Sequence, residues 1–396
     1  MNKINIIQEI IELKAQLSYS KNIGFFFGAG TSCALNIPNV EQLTTDVETK
    51  LTEDSLADFK LVKNDLETII TLRKVNIEDI LNQIRRIREL TNEMEKEYLG
   101  VSGVNAKKLD KEICTIIYDI VAEKEKIADI EKTKKFFAWL SLLNRDFSKE
   151  IFTTNYDLII EKSLEASQIP YFDGFVGSYE PFFWQESIDQ FVLKNDITHN
   201  WIRLWKIHGS LSWFWKENPT TKAQQIIRVG KIENIKDEEN ELVIYPSKEK
   251  YDSSKKQPFI AYFDRFKNYL LKGELLFIFT GYSFSDQHIN EIIFNCLRQN
   301  NRLTILVFFF KDSEVENLHK QMSSYMNLNA FGPKKAIIRG NLGEWEYLDP
   351  DLNSNEKSEL YWNTEDSKFK LGDFNEFVNF IITISGKKET IESIVK

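Results

Sequence analysis

The sequence predicts an α/β protein in which a mainly parallel sheet is covered by helices on both faces. Short apolar runs at Ile23 to Phe27, Glu150 to Thr154, Leu204 to Ile207, Leu242 to Tyr245, Leu275 to Thr280 and Leu303 to Phe310 carry little polar alternation, as strands buried on both sides require. The segments between them have helical rather than two-residue periodicity. Each run is also followed by polar or glycine-containing residues, where a strand has to turn.

In chain order, Ile6, Ile7, Ile10, Ile11, Leu13 and Leu17 follow helical spacing, so residues 4 to 19 are expected to form an amphipathic helix leading into the strand Ile23 to Phe27. From about residue 41 to 145 the strand signal disappears. Positions such as Ile77, Ile80, Leu81, Ile84, Ile87 and Leu90 indicate a large helical insertion. The Arg85-Arg86-Arg88 cluster within it is expected on a solvated helix face, with no function assigned. The remaining strands follow, placing a catalytic domain over residues 1–310. Beyond Phe310 the pattern is mixed, with a polar stretch at 349–359 and a helix near 373–385. Residues 311–396 are therefore expected to form a C-terminal appendage and a candidate assembly surface.

A chain of 396 residues with 42% hydrophobic side chains can bury a substantial core. With 60 acidic against 51 basic residues its formal charge is -9, so no overall positive field draws in nucleic acid or an anionic membrane. Cys33, Cys114 and Cys296 lie far apart, which excludes a disulfide framework and a CxxC…CxxC zinc site. The apolar runs are too short to span a bilayer, and no address tag is evident. The expectation is a soluble protein of a reducing cytoplasm.

Four strand ends carry candidate chemistry. In an open parallel sheet, ligands bind beyond the carboxyl ends of the strands, where backbone N–H groups can face a pyrophosphate. The first strand ends in Gly28-Ala29-Gly30-Thr31-Ser32: the glycines permit close backbone approach, and Thr31 or Ser32 can cap a helix or donate to phosphate. The same glycines would also serve a plain tight turn. Neither GxGxxG nor GxxxxGK[ST] is present, which argues against the usual dehydrogenase fingerprint and an ATPase P-loop. The second motif, Thr153-Thr154-Asn155-Tyr156-Asp157, places Asn155 and Asp157 at a strand end, where both catalysis and helix capping use such residues. The third is His208-Gly209-Ser210. The fourth is Gly281-Tyr282-Ser283-Phe284-Ser285-Asp286, in which Gly281 allows backbone approach, Ser283 offers a hydroxyl, and Ser285 or Asp286 can cap the next helix. His288, near that helix start, is expected to be structural or peripheral, because the helix dipole disfavours a cationic ring there.

In this order GAGTS, TTNYD, HGS and GYSFSD resemble the sirtuin (silent-information-regulator-like) superfamily, in particular its bacterial branch of NAD-consuming defence proteins. The resemblance covers roughly residues 20 to 310 without the helical insertion. It implies a Rossmann-like core binding NAD+, with Gly28, Ala29, Gly30, Thr31 and Ser32 around the pyrophosphate. It further implies that Asn155 positions the nicotinamide ribose and the reacting water, that Asp157 holds the carboxamide, and that His208 faces the ribose hydroxyls as the catalytic histidine. Gly281, Tyr282, Ser283 and Asp286 fall near the adenosine end.

Two departures from protein-deacylating sirtuins stand out. The four-cysteine zinc module is absent, and LNIPNV keeps Pro38 but lacks the Asp-Phe-Arg that follows it in deacylases. Water is then the expected acceptor, giving nicotinamide and ADP-ribose, with NAD+ as substrate and no zinc or other cofactor. The resemblance also implies an effector of antiphage defence acting by abortive infection. Such an effector would be controlled through a homo-oligomer or through a HerA-like hexameric DNA-translocase ATPase, without membrane association or strong nucleic-acid binding of its own. The alternatives are an NAD-dependent protein deacylase and a non-catalytic NAD- or ADP-ribose-sensing subunit of a nuclease-helicase complex.

Overall fold

The computed structural model describes residues 2–71, 73–189, 197–217, 224–230, 241–244, 257–322, 325–348 and 358–396. Its central feature is a ten-stranded sheet. We label the strands in chain order: β1 (Asn2–Asn5), β2 (Ile23–Phe27), β3 (Glu150–Thr153), β4 (Tyr171–Phe172), β5 (Ile202–Lys206), β6 (Leu275–Thr280), β7 (Leu303–Phe308), β8 (Leu328–Phe331), β9 (Lys335–Ile338) and β10 (Asn341–Glu346). Across the sheet they run β1-β10-β9-β8-β7-β6-β2-β3-β5-β4. All neighbours are parallel except β8–β9 and β9–β10.

The apolar strands are explained by burial on both faces. In β2, Phe25 and Phe27 join one core while Phe26 joins the core on the opposite face. Ile278 and Leu306 likewise face the first core, and Phe277, Phe279, Ile305 and Val307 the second. The helices Ile6–Tyr19, Glu131–Ser141 and Phe374–Ser385 cover the first face, whereas Phe259–Leu270, Gln287–Gln299 and Asp312–Met322 cover the second.

The sheet order places the topological switch point. From β2 the chain builds outward on one side through β3 and β5, then returns to lay β6 against the other side of β2. The carboxyl ends of β2 and β6 therefore flank the topological switch point, where open α/β sheets leave room for a ligand.

Residues 311–396, expected as an appendage, instead extend the sheet through β8–β10 and complete its first face. Phe374 packs on Phe27 (5.4 Å between ring centroids) and Phe377 on Phe308 (5.0 Å). Within the expected polar stretch, residues 349–357 lie outside the described residues. Of the run expected at Leu242 to Tyr245, Tyr245 lies outside the described residues, and the rest is reassigned. Glu241–Ile244 belongs to a separate five-stranded antiparallel sheet, alongside Gly209–Glu217. An apolar run this short is equally compatible with either kind of sheet.

The insertion forms its own core from the helices Val40–Lys50, Glu53–Ile69, Ile77–Thr91 and Gly103–Ile127. A small hairpin, Glu97–Tyr98 with Val101–Ser102, interrupts them. The arginine cluster corrects the expectation of a solvated face. Arg85 and Arg88 both reach the buried Asp110 on the facing helix, at 3.2 and 2.6 Å, while Arg86, turned away by helical periodicity, is exposed. Burial raises the Asp110 carboxyl, but the two guanidinium groups outweigh it and hold the group below its ordinary range. Leu35, Ile37, Ile159 and Leu211 share the insertion's core, so this module is docked beside the carboxyl ends of the strands.

Candidate functional site

β2 and β6 run in register, with Phe27 beside Thr280, so Gly28 and Gly281 leave the sheet side by side. Gly28 N–H donates to the Thr280 carbonyl (3.0 Å) and Gly30 N–H to the Gly281 carbonyl (2.8 Å). A Cβ on Gly28 would lie 2.4 Å from the Gly281 carbonyl oxygen, and one on Gly281 would lie 2.5 Å from the Thr31 nitrogen. Gly281 also has φ +66°, in the left-handed region. These glycines therefore allow two loop backbones to touch. Ala29, between them, is exposed, and the helix Ala29–Cys33 that follows is only five residues long.

β3 adds the second motif. Thr153 Oγ1 donates to the Phe27 carbonyl (2.8 Å) and accepts from Asn155 N–H (2.9 Å), which fixes the start of the loop. Asn155 Nδ2 faces three acceptors: the Gly28 carbonyl at 3.0 Å, Thr31 Oγ1 at 3.0 Å and Ser32 Oγ at 2.8 Å. A carbonyl can only accept, so this contact fixes which side of the amide carries nitrogen. Its oxygen, Oδ1, has no hydrogen-bond partner among the described residues.

Thr31, Ser32 and Asp157, expected at the dinucleotide, make hydrogen bonds within the protein. Thr31 Oγ1 donates to the Gly28 carbonyl (2.9 Å), and Ser32 Oγ donates to Asp157 Oδ2 (2.6 Å). Asp157 is buried, and its Oδ1 accepts from Ile159 N–H (3.1 Å). These side chains form an internal chain of hydrogen bonds that holds the Asn155 amide.

Charged residues not singled out from the sequence support this chain from below. Lys206 donates to the Asp157 carbonyl and pairs with Glu161 at 2.7 Å. Glu125, from the insertion, accepts Leu158 N–H (2.7 Å) and pairs with Lys162. Burial, followed by the Asp157 charge, raises the Glu125 carboxyl, and burial raises that of Glu161 against the pull of Lys206. Burial and Asp157 also raise the neighbouring Cys33 thiol. A lysine inside the apolar run RLWKI was the available signal, because a buried ammonium needs an acceptor.

β5 and β6 supply the other side of the rim. His208 lies in the turn one residue beyond β5, after Ile207, and Gly209 turns the chain at φ +88°. His208 Nε2 lies 3.2 Å from Asp286 Oδ2, with the two side chains 13% and 17% exposed. Asp286 Oδ1 accepts from His288 N–H (2.9 Å) and Ile289 N–H (3.2 Å), which caps the helix Gln287–Gln299. Ser283 is exposed and shares a hydrogen bond with Ser285 (3.0 Å). The Tyr282 side chain, expected near a ligand, instead packs into the second core against Phe26 (4.7 Å), and its hydroxyl donates to Asn290 Oδ1 (3.2 Å). Asn290 Nδ2 in turn holds the Phe284 carbonyl (2.8 Å), where Phe284 has φ +56°. His288 is exposed beside the cap, as expected of a peripheral residue.

The rim thus brings together the Asn155 acceptor, the His208–Asp286 pair, the exposed Ala29 and Ser283. Among the described residues no group of His, Cys, Asp and Glu has the arrangement to hold a metal ion. No helix among them is long and apolar enough to cross a membrane.

Comparison with known proteins gives a partial match. No curated protein matches the chain. Among solved structures, a mutant Sir2 homologue in complex with 2'-O-acetyl ADP ribose is 13% identical, with a TM-score of 0.35, over 75% of this chain and 83% of that one. A Sir2 homologue in complex with NAD has the same identity and TM-score, over 78% and 84% of the two chains. A third Sir2 enzyme is 11% identical, with a TM-score of 0.33, over 76% and 86%. A family model described as a SIR2-like domain matches residues 149–329. That span carries Asn155, Asp157, His208 and the 281–286 loop, while the Gly28–Ser32 turn joins the same rim from outside it.

Proposed function

We propose that the chain is an NAD+ glycohydrolase, cleaving the bond between nicotinamide and ribose to release nicotinamide and ADP-ribose. The observation that carries this reading is the meeting, at the switch point of the sheet, of an Asn155 amide braced by three acceptors with a carboxylate-paired His208. The SIR2-like match over residues 149–329 supports it.

The chemistry suits these groups. The C1′–N bond breaks with its electron pair moving onto the pyridinium nitrogen, so nicotinamide leaves neutral and needs no acid. Water then forms the new C1′–O bond and gives up a proton. The demand falls on stabilising an oxocarbenium-like ribosyl centre and on aiming the water. Asn155 Oδ1 can accept a hydrogen bond from that water, and His208 can accept from a ribose hydroxyl, increasing electron donation toward C1′. The Gly28 and Gly30 N–H groups are engaged by the Thr280 and Gly281 carbonyls, so these glycines and Gly281 shape the turn, and the exposed Ala29 is its residue beside the pyrophosphate. Thr31, Ser32 and Asp157 act by holding Asn155. NAD+ is consumed as substrate, and the scheme uses no zinc.

On the motif resemblance, we assign the activity to antiphage defence by abortive infection in the cytoplasm. A constitutive NADase would be lethal, so activity is controlled by homo-oligomeric assembly or by a HerA-like ATPase partner. The test is incubation with NAD+, alone and with that partner, while following nicotinamide and ADP-ribose. Wild type should release both without any peptide, and His208→Ala and Asn155→Ala should each lose about 10²- to 10⁴-fold in turnover. Strict dependence on an acyl-lysine peptide would identify a deacylase instead. NAD+ binding without product, even with the partner present, would identify a sensing subunit.

A further inference from the structure

The two oxygens of Asp286 have separate partners. Oδ1 is held by the backbone N–H groups of His288 and Ile289, at 2.9 and 3.2 Å. Both can only donate, so they fix the carboxylate to the first turn of the helix Gln287–Gln299, which is anchored in the core by Ile289 and Ile293. Oδ2 is thereby held 3.2 Å from His208 Nε2. A carboxylate oxygen can only accept, so at this distance it favours the proton on the ring nitrogen that it faces.

We propose that Asp286 is the positioning residue for His208 rather than a ligand of the dinucleotide. It selects the Nε2–H tautomer, which makes Nδ1 the lone-pair nitrogen of the neutral ring, and it stabilises the imidazolium formed when that nitrogen takes a ribose hydroxyl proton. The proton passes from the hydroxyl oxygen to Nδ1, and no other bond changes in this step. The helix cap gives this arrangement its rigidity: the groups that start the helix also hold the ring. The inference rests on the assignment of His208 as the group that accepts the ribose hydroxyl.

Asp286→Asn separates the two roles. The single amide oxygen can remain on the His288 and Ile289 N–H groups, since asparagine caps helices as well as aspartate does. The amide nitrogen then faces Nε2 as a donor and drives the proton to Nδ1. The variant should keep the wild-type melting temperature, lose about 10²- to 10⁴-fold in kcat for NAD+ cleavage and leave KM little changed. Nitrogen-detected NMR of the imidazoles, simplified by the chain having only four histidines, should show His208 switching from Nε2–H to Nδ1–H. Asp286→Ala should lower the melting temperature as well, because it removes the cap. The proposal is overturned if Asp286→Asn keeps wild-type turnover, raises KM alone, or leaves the His208 tautomer unchanged. If the wild-type chain does not cleave NAD+, the glycohydrolase reading fails, and the His208 tautomer in wild type and variant still decides whether Asp286 sets the ring.

Discussion

Both ends of the large sheet bury charge, yet they use it differently. At the amino end, Glu150 is enclosed by Arg265, by Trp205 Nε1 (2.7 Å) and by Ser148 Oγ (2.9 Å). Lys149 beside it donates to the carbonyls of Ser141 and Leu143, both at 3.2 Å. At the carboxyl end the polar groups also brace one another, but the Asn155 oxygen has no described partner and the His208–Asp286 pair stays partly open. Buried polarity alone therefore does not mark a site. The proposed site rests instead on convergent strand ends that carry an acceptor without a described partner.

Glu150→Gln should give the largest stability effect. Removing the charge leaves the Arg265 guanidinium without its carboxylate and should cost about 3–5 kcal/mol in urea unfolding. NAD+ turnover by the folded variant, measured well below its melting point, should be unchanged. A large fall in turnover would show that the two ends are coupled.

Lys149 provides a pH test of the same region. Burial, with a smaller contribution from Arg145, lowers its ammonium to about 8. Between pH 8 and the unfolded value near 10.5, the unfolded chain binds more protons than the folded one, so stability rises with pH across that window. The expected gain from pH 8 to pH 10 is about 2 kcal/mol, and Lys149→Met should abolish it. Tyr262, Tyr269 and Tyr282 are raised well above their ordinary value by burial. They act in the opposite sense above pH 10, where the folded state keeps protons that the unfolded state loses. Urea titrations at pH 8, 9 and 10 on both proteins measure the difference.

Ser32→Ala should have the smallest effect on stability and a selective effect on chemistry. It removes the donor to Asp157 and one acceptor of the Asn155 amide, at a cost of about 1.5 kcal/mol. Turnover should fall while the far end of the sheet is untouched. Unchanged turnover would show that the Asn155 amide does not need this brace.

Much of the fold was legible because a strand buried on both faces must be apolar along its whole length, as in IGFFF, LLFIFT and LTILVF. The hairpin β9–β10 and the edge strand β1 were not, since NLGEWE mixes exposed and buried positions and NKIN has only exposed and half-buried ones. The site motifs were visible as glycine, asparagine, histidine and aspartate at strand ends. Their side-chain directions were not. Thr31, Ser32 and Asp157 turn inward to one another, and Glu125 reaches the same loop from a helix of the insertion.

Periodicity and polarity are local, so the sequence by itself determined the buried strands, the helical insertion and the four strand-end motifs. Pairings between residues far apart in the chain depend on sheet order, which no local pattern encodes. Only the tertiary structure, by laying β6 against β2, brought Gly281 onto Gly28. The same fold set Ser32 on Asp157 and gave Asp286 a second partner in His208.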